Sequence, residues 1–222
     1  MTRSTTRRRI REVPSLVHLN GPMDSARAEA EYFIQQAFSL AYGATIESFL
    51  PVLLGLRNDQ GQLQAVLGLR EAADTPLYLE QYLDRPVEQE LSAATNRPVN
   101  RSGLVEVGNF AVGAPGGGRW LITALTAYLS HTGHDWAVFT CGPELQNASH
   151  RLGIGLVDLG EADPSRLPDD ERARWGSYYQ QHPHVMAANV DEGVRALFRY
   201  FERECSLLNL WRSALRASGV AA

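Results

Sequence analysis

Glu106 is the one ionisable residue in the run Val105-Glu106-Val107-Gly108-Asn109-Phe110-Ala111-Val112. A carboxylate among apolar neighbours has a raised pKa and can take a proton from an amine or a water. The alternative is a carboxylate at a sheet edge neutralised by an arginine. Directly after this run come Gly113-Ala114-Pro115-Gly116-Gly117-Gly118-Arg119-Trp120-Leu121. A β-branched run, a glycine turn and an immediate helical pattern bring free backbone N–H groups and the positive end of a helix dipole to one spot. An anion, a pyrophosphate above all, would rest on Gly116, Gly117 and Gly118 with Arg119 as counter-charge. The loop lacks the Gly-Lys-Ser/Thr ending of a Walker loop and the spacing of a dinucleotide fingerprint, so a plain flexible turn stays open as the alternative.

Other reactive residue types are weaker signals. Cys141 at a strand end, with His150 nine residues on, could be nucleophile and base, but a buried Cys is as a rule a small hydrophobe and no third group has triad spacing. His182-Pro183-His184 has no carboxylate or Cys spacing to make a metal site, and none is expected.

These residues need elements to hold them. Val13–Asn20 reads as a strand closed by Asn20-Gly21-Pro22, and Asp24 as the N-cap of a helix to about Tyr42 that Gly43 stops, with Ala26, Ala30, Phe33, Ala37 and Leu40 on one face. Phe49–Arg57 and Gln62–Glu71 flank Asn58-Asp59-Gln60-Gly61, a hairpin signal. Pro86 opens a short helix within 75–92. The central strand follows, then a helix from about Arg119 to His131 ended by Gly133, a buried strand Asp135–Cys141, a helix opened by Pro143 and a strand Leu156–Leu159. This order implies right-handed crossovers and an at least partly parallel sheet. The tract Ala162–Asn189 reads as long and irregular around Trp175-Gly176-Ser177-Tyr178-Tyr179, and such tracts are functional or wrap the core. Asp191 to about Arg216 reads as one amphipathic helix bearing Val194, Leu197, Phe198, Phe201, Cys205, Leu208 and Trp211. Its polar side carries several arginines, which could lie on a membrane, although packing on the domain or on a second copy of the chain, as a homodimer, is the expected use.

The chain has 222 residues, 44% hydrophobic and 21% charged, with a net charge of -4. That suffices for one domain with a sizeable core, and mild acidity argues against a nucleic-acid partner. Residues 1–12 are expected to be a disordered basic tail, 13–190 the domain, and 191–222 the amphipathic helix and tail. No apolar segment follows the basic start and none approaches a membrane span, and two cysteines make no disulfide framework, so a cytoplasmic protein is expected.

Taken together, Leu79-Glu80-Gln81-Tyr82-Leu83-Asp84 with Pro86-Val87-Glu88, Glu106 to Ala111, Trp136 to Thr140, Asn147 to Gly153 and Trp175 to Tyr179 resemble the bacterial thermostable hemolysin proteins across roughly residues 14 to 190. The layout also resembles the GNAT acyltransferase fold, especially its acyl-homoserine-lactone synthase branch. That resemblance implies an α/β fold with a mixed, splayed central sheet flanked by helices, and a donor that is acyl-CoA or acyl carrier protein, with no metal. It further implies that Phe110 and Val112 offer backbone groups to a pantetheine arm, that Gly116, Gly117, Gly118 and Arg119 hold phosphate, and that Asn147 lines the pantetheine channel. The lactone synthases read Glu-x-x-Arg-Phe where this chain has Glu106-Val107-Gly108-Asn109-Phe110, so their use of S-adenosylmethionine is not carried over. The acetyltransferases' helix-borne tyrosine has no counterpart near His150.

The expected function is transfer of an acyl group from a thioester to a small amine, with Glu106 as base, Glu80 on the acceptor side and Tyr178 as proton donor. Asn109, Cys141, Trp175 and Tyr179 are expected to line the substrate. The alternatives are a membrane-perturbing protein acting through the terminal helix, and a scaffold that binds an acyl carrier without turnover.

Overall fold

The strands are Leu16–Asn20 (β1), Val52–Arg57 (β2), Leu63–Glu71 (β3), Leu104–Val112 (β4), Trp136–Cys141 (β5), Val157–Glu161 (β6) and His184–Asn189 (β7). They form one sheet ordered β1-β2-β3-β4-β5-β7-β6. Only β4 and β5 run parallel; the other neighbours are antiparallel. The helices are Arg27–Tyr42 (α1), Val87–Thr95 (α2), Gly117–Thr132 (α3), Pro143–Arg151 (α4), Asp169–Arg174 (α5), Val190–Phe201 (α6) and Ser206–Ala217 (α7). This computed structural model describes residues 14–73, 75–113, 116–201 and 206–219. The basic tail, Ala114, Pro115, Cys205 and the side chain of Leu208 lie outside the described residues.

Local chemistry sets most boundaries. Gly43 and Gly133 end α1 and α3 in the left-handed conformation, and Pro143 opens α4 at its first turn. In the β2–β3 hairpin Asn58 Oδ1 accepts from the backbone N–H of Gln60 and Gln62 at 3.1 and 2.9 Å. Asp24 does not cap α1: its carboxylate accepts from Ala26 N–H in a preceding turn, and the helix begins at Arg27. The buried stripe of α1 is Ala30, Ile34 and Phe38, whereas Leu40 is exposed.

Helix α3 lies on one face of the sheet and is buried nearly all round, packed between the strands and α6 and α7. Its two buried threonines return their hydroxyls to the carbonyls four residues back, Thr123 to Arg119 and Thr126 to Ile122, both at 2.8 Å. The expected single terminal helix is two. Phe198 and Phe201 of α6 meet Trp211 of α7 ring to ring, and Leu197, Phe201, Leu210, Trp211 and Ala214 all join the core against α3. Of the apolar side read from the sequence, Phe198 alone among the described residues is markedly exposed, at 50%. No described helix is long and apolar enough to cross a membrane.

The tract Ala162–Asn189 is less irregular than expected: it contains α5 and the strand β7, which pairs with β5 on one side and β6 on the other. The loop between them is fastened to the end of α1. Ser177 N–H donates to the Tyr42 carbonyl at 2.8 Å and Thr45 N–H to the Arg174 carbonyl at 2.7 Å. Gly176 sits at φ +55, where an added Cβ would lie 2.2 Å from the Tyr42 carbonyl oxygen. Gly176→Ala should therefore lower stability by about 1–3 kcal/mol. The check is the urea midpoint at unchanged slope; a midpoint equal to the parent's would mean the loop is not clamped this way.

Candidate functional site

The parallel pairing of β4 with β5 runs from Leu104↔Trp136 to Val107↔Phe139 and stops, although β4 continues to Val112 and β5 to Cys141. A β-bulge between β3 and β4 falls at the same level, with Gly68 facing Gly108 and Val66 facing Ala111. Asn109 occupies the bulge with φ +49, a left-handed conformation that Asn tolerates better than most residues. Its Oδ1 accepts from Leu50 N–H at 2.9 Å, and its amide donates to the Ser48 carbonyl at 3.4 Å. Gly68 leaves room for this, since a Cβ there would lie 2.8 Å from both Asn109 Oδ1 and Leu50 Cβ. The bulge also changes which way β4 side chains point. Val105 and Val107 pack into the α3 face, and after the bulge Phe110 does so instead of Asn109.

The parting strands leave a cavity of about 1050 Å³ between them. At one end stand Phe110, Val112 and the start of α3, with Gly116, Gly118 and Arg119 lining it, and Asn147 of α4 opposite. Gly116 enters α3 left-handed, and among the described residues no side chain caps the helix. Gly117 is buried rather than lining; a Cβ on it would press 3.1 Å from Val112 Cβ, so it permits strand and helix to meet closely. Arg119 donates to the Tyr200 hydroxyl at 2.9 Å.

On the other face of the sheet is Glu106, 4% exposed. Its Oε1 accepts from Leu79 N–H at 2.9 Å and its Oε2 from Tyr78 N–H at 3.1 Å, both in the 3-10 turn Tyr78–Tyr82. Arg70, directly across on β3, has Nη1 3.5 Å from Oε2. Burial pushes the Glu106 carboxyl above the ordinary range, while the two amides and the guanidinium pull it part of the way back. Glu106 thus combines both features read from the sequence, an apolar setting and an arginine, but on a central strand.

Aromatic side chains wall this end. Trp175 Nε1 donates to the Tyr78 hydroxyl at 3.1 Å, and the Tyr82 and Tyr179 hydroxyls share a 2.5 Å hydrogen bond. Tyr178 packs on Trp175 and edge-on to Tyr42, with ring centroids 5.1 and 5.2 Å away. Burial pushes Tyr179 up to about 12 and Tyr178 up as well, so both phenols keep their protons at neutral pH. Cys141 lines the cavity too, but it is 2% exposed and burial pushes its thiol up to about 12, which removes the thiolate a nucleophile needs. His182 and His184 face Glu161 and Asp158 on the β6–β7 side.

Two residues therefore stand apart from the sequence reading. Glu80 does not line the cavity; it binds Arg101 at 2.6 and 2.9 Å and accepts from Leu77 and Val87 N–H at 2.8 and 3.0 Å. Both its oxygens are engaged, so Glu80 is a strut of the turn that holds Glu106 rather than a group on the acceptor side. Asn109 reaches the cavity, yet its side-chain amide is spent on Ser48 and Leu50. Arg70, Tyr78 and Tyr82 line the cavity and were given no role from sequence. The available signal for Arg70 was alternation: Ala65, Leu67 and Leu69 face α3, which puts Arg70 on the Glu106 face.

A family model for thermostable hemolysin matches residues 20–194. The chain belongs to that family. No curated protein sequence matches this family member. Among solved structures it is similar to BjaI, a CoA-dependent acyl-homoserine lactone synthase, at 13% identity and TM-score 0.57 over 85% of this chain and 88% of that one. It is similar to FeeM, an N-acyl amino acid synthase from uncultured soil microbes, at 17% identity and TM-score 0.55 over 84% and 96%. For the AHL synthase LasI the values are 12%, 0.54, 83% and 94%. At such identities the likeness shows the fold, and the fold of this chain is GNAT-like.

Hydrogen bonds from Arg101 and two amides hold the Glu80 carboxyl down at about 2, against 4.5 for the free group. A depressed carboxyl stabilises the fold fully above pH 4.5 and loses that contribution as pH falls toward 2. Solvent screens part of this pair, so Glu80→Gln should cost about 1–2 kcal/mol at pH 7 and about half as much at pH 3. Urea midpoints at both pH values test this; a deficit independent of pH would rule out an ionised Glu80 as the strut.

Proposed function

We propose that this protein transfers an acyl group from an acyl thioester to an amine. The observation that carries the reading is the position of Glu106, a buried carboxylate of raised pKa where β4 and β5 part, facing an aromatic-walled cavity that continues to the start of α3. The structures it resembles are enzymes of acyl transfer, which supports the same reading.

The donor's pantetheine arm lies between the parted strands against the backbone of Phe110 and Val112, with Asn147 beside it. Its phosphate end, from coenzyme A or an acyl carrier protein, meets the start of α3 at Gly116 and Gly118, with Arg119 adding positive charge. The amine nitrogen attacks the thioester carbonyl carbon. Glu106, directly or through a water, takes the proton that nitrogen loses. Backbone N–H groups of β4 beyond Val107 steady the oxyanion. The C–N bond forms, the C–S bond breaks, and the thiolate leaves with a proton for which Tyr178, neutral and in the cavity, is the donor.

The experiment is to follow free thiol while the protein meets a panel of acyl thioesters and amines. Thiol should appear only when an amine is present, and Glu106→Gln should lower the rate by about 100-fold or more. Turnover by Glu106→Gln at the parent rate, or no thioester consumed at all, would refute the reading. A scaffold that binds the acyl carrier without turnover corresponds to the second result.

A further inference from the structure

Arg70 is a cation without an adequate partner. Its guanidinium is the positive group beside Glu106, its side chain is 29% exposed, and it lines the same cavity. The contact with Glu106 is its one ion pair among the described residues, a single Nη1–Oε2 approach of 3.5 Å. A guanidinium has five N–H donors in a planar fork; among the described residues this one makes no hydrogen bond other than that to Glu106, and it lines the cavity. Arg101, a few residues away in the fold, shows the difference: its Nε, Nη1 and Nη2 all reach carbonyls or carboxylates at 2.6 to 2.9 Å.

The other cavity arginines are placed differently. Arg174 is bound to Glu47 at 2.6 Å and to Asp170 at 3.6 Å, Arg119 belongs to the far end at α3, and Arg151 lines the cavity from the last residue of α4, away from Glu106 on β4. Arg70 and Glu106 are also a directly opposed pair on β3 and β4, so both side chains leave the sheet on one face and end side by side. They present a carboxylate that takes a proton from an amine and, adjacent to it, an open fork that fits a second carboxylate.

We propose that the acceptor is an α-amino acid, or a compound with the same adjacent amine and carboxylate, and that Arg70 holds its carboxylate while Glu106 faces its amine. The inference rests on the acyl-transfer reading of this site. The amine nitrogen and carboxylate carbon of an α-amino acid are two bonds apart, which matches charged ends lying side by side across two strands. A simple alkylamine would leave the fork unpaired. The aromatic wall of Tyr78, Trp175 and Tyr178 stands where the amino acid's side chain would project. The step stays balanced: the amine forms the amide bond, the thiol departs, and the acceptor carboxylate is unchanged.

The test compares amino acids with the amines that differ only by loss of the carboxyl group, all with one acyl thioester and the full chain, scored as kcat/KM for thiol release. The acid should be preferred by about 10- to 100-fold, as expected for a charge-assisted bidentate contact. Arg70→Gln should raise KM for the acid and erase the preference, and Arg70→Lys, keeping the charge without the fork, should restore part of it. Far-UV circular dichroism and the thermal midpoint confirm that both variants are folded. If Arg70 only tuned the Glu106 charge, both variants would change acids and amines alike and shift the pH profile for both. Equal use of acid and amine by the parent, or a preference that survives Arg70→Gln, overturns the proposal and leaves the acyl-transfer reading standing. Consumption of no acceptor of either kind overturns both.

Discussion

The site depends on where β4 releases its parallel neighbour. Pairing with β5 holds through Val107, and the next residues bulge against β3 with Asn109 left-handed. A bulge bends and twists its strand, and on a parallel partner the effect is separation. Asn109 is suited to the place for two reasons. It accepts a positive φ at less cost than a β-branched residue, and its amide ties the bulge to the segment entering β2. The shift also reverses the alternation of β4, so Phe110 faces the start of α3 while Glu106, before the bulge, faces the opposite side. One irregularity thus opens a cleft and places its two ends on different faces of the sheet.

Holding a carboxylate inside this cleft requires a second structure behind it. Glu106 accepts from the backbone of the Tyr78–Tyr82 turn, and that turn is fixed by Glu80, itself clasped by Arg101. Arg101 further reaches the carbonyls of Ala72 and Thr75 and the Glu88 carboxylate of α2, so the turn cannot drift from β4 without breaking charge-assisted bonds. The two glutamates differ because their surroundings differ. Glu80, with a guanidinium and two amides, is a stable anion near the surface; Glu106, mostly desolvated, is drawn toward its protonated form.

What could be read from the sequence was local. Gly43, Gly133 and Pro143 mark helix ends by conformational necessity, and the hairpin announces itself through Asn58 to Gly61. Glu106 and the glycine turn stood out because a charge in an apolar run and a turn before a helix are visible without tertiary information. The strand His184–Asn189 did not, since it opens on Pro183 and a histidine and owes its place to pairing on both sides. That α6 and α7 are two helices was hidden because the apolar period read from the sequence runs on from one to the other. Glu80 is visible in the sequence as a carboxylate in Leu79–Asp84, whereas its role is set by Arg101, 21 positions away. Arg70 and Tyr78 become site residues only through strand register and the folding of the turn over β4.

In the proposed reaction a thioester's pantetheine arm occupies the gap between β4 and β5. A crystal structure of the protein with coenzyme A, or with a non-cleavable thioether analogue of an acyl-CoA, tests it most directly. The arm should lie along Phe110 to Val112, with the pyrophosphate at the amides opening α3 and the sulfur pointing toward the Glu106 end of the cavity. A ligand bound elsewhere on the molecule, with β4 and β5 parted around nothing, would contradict it.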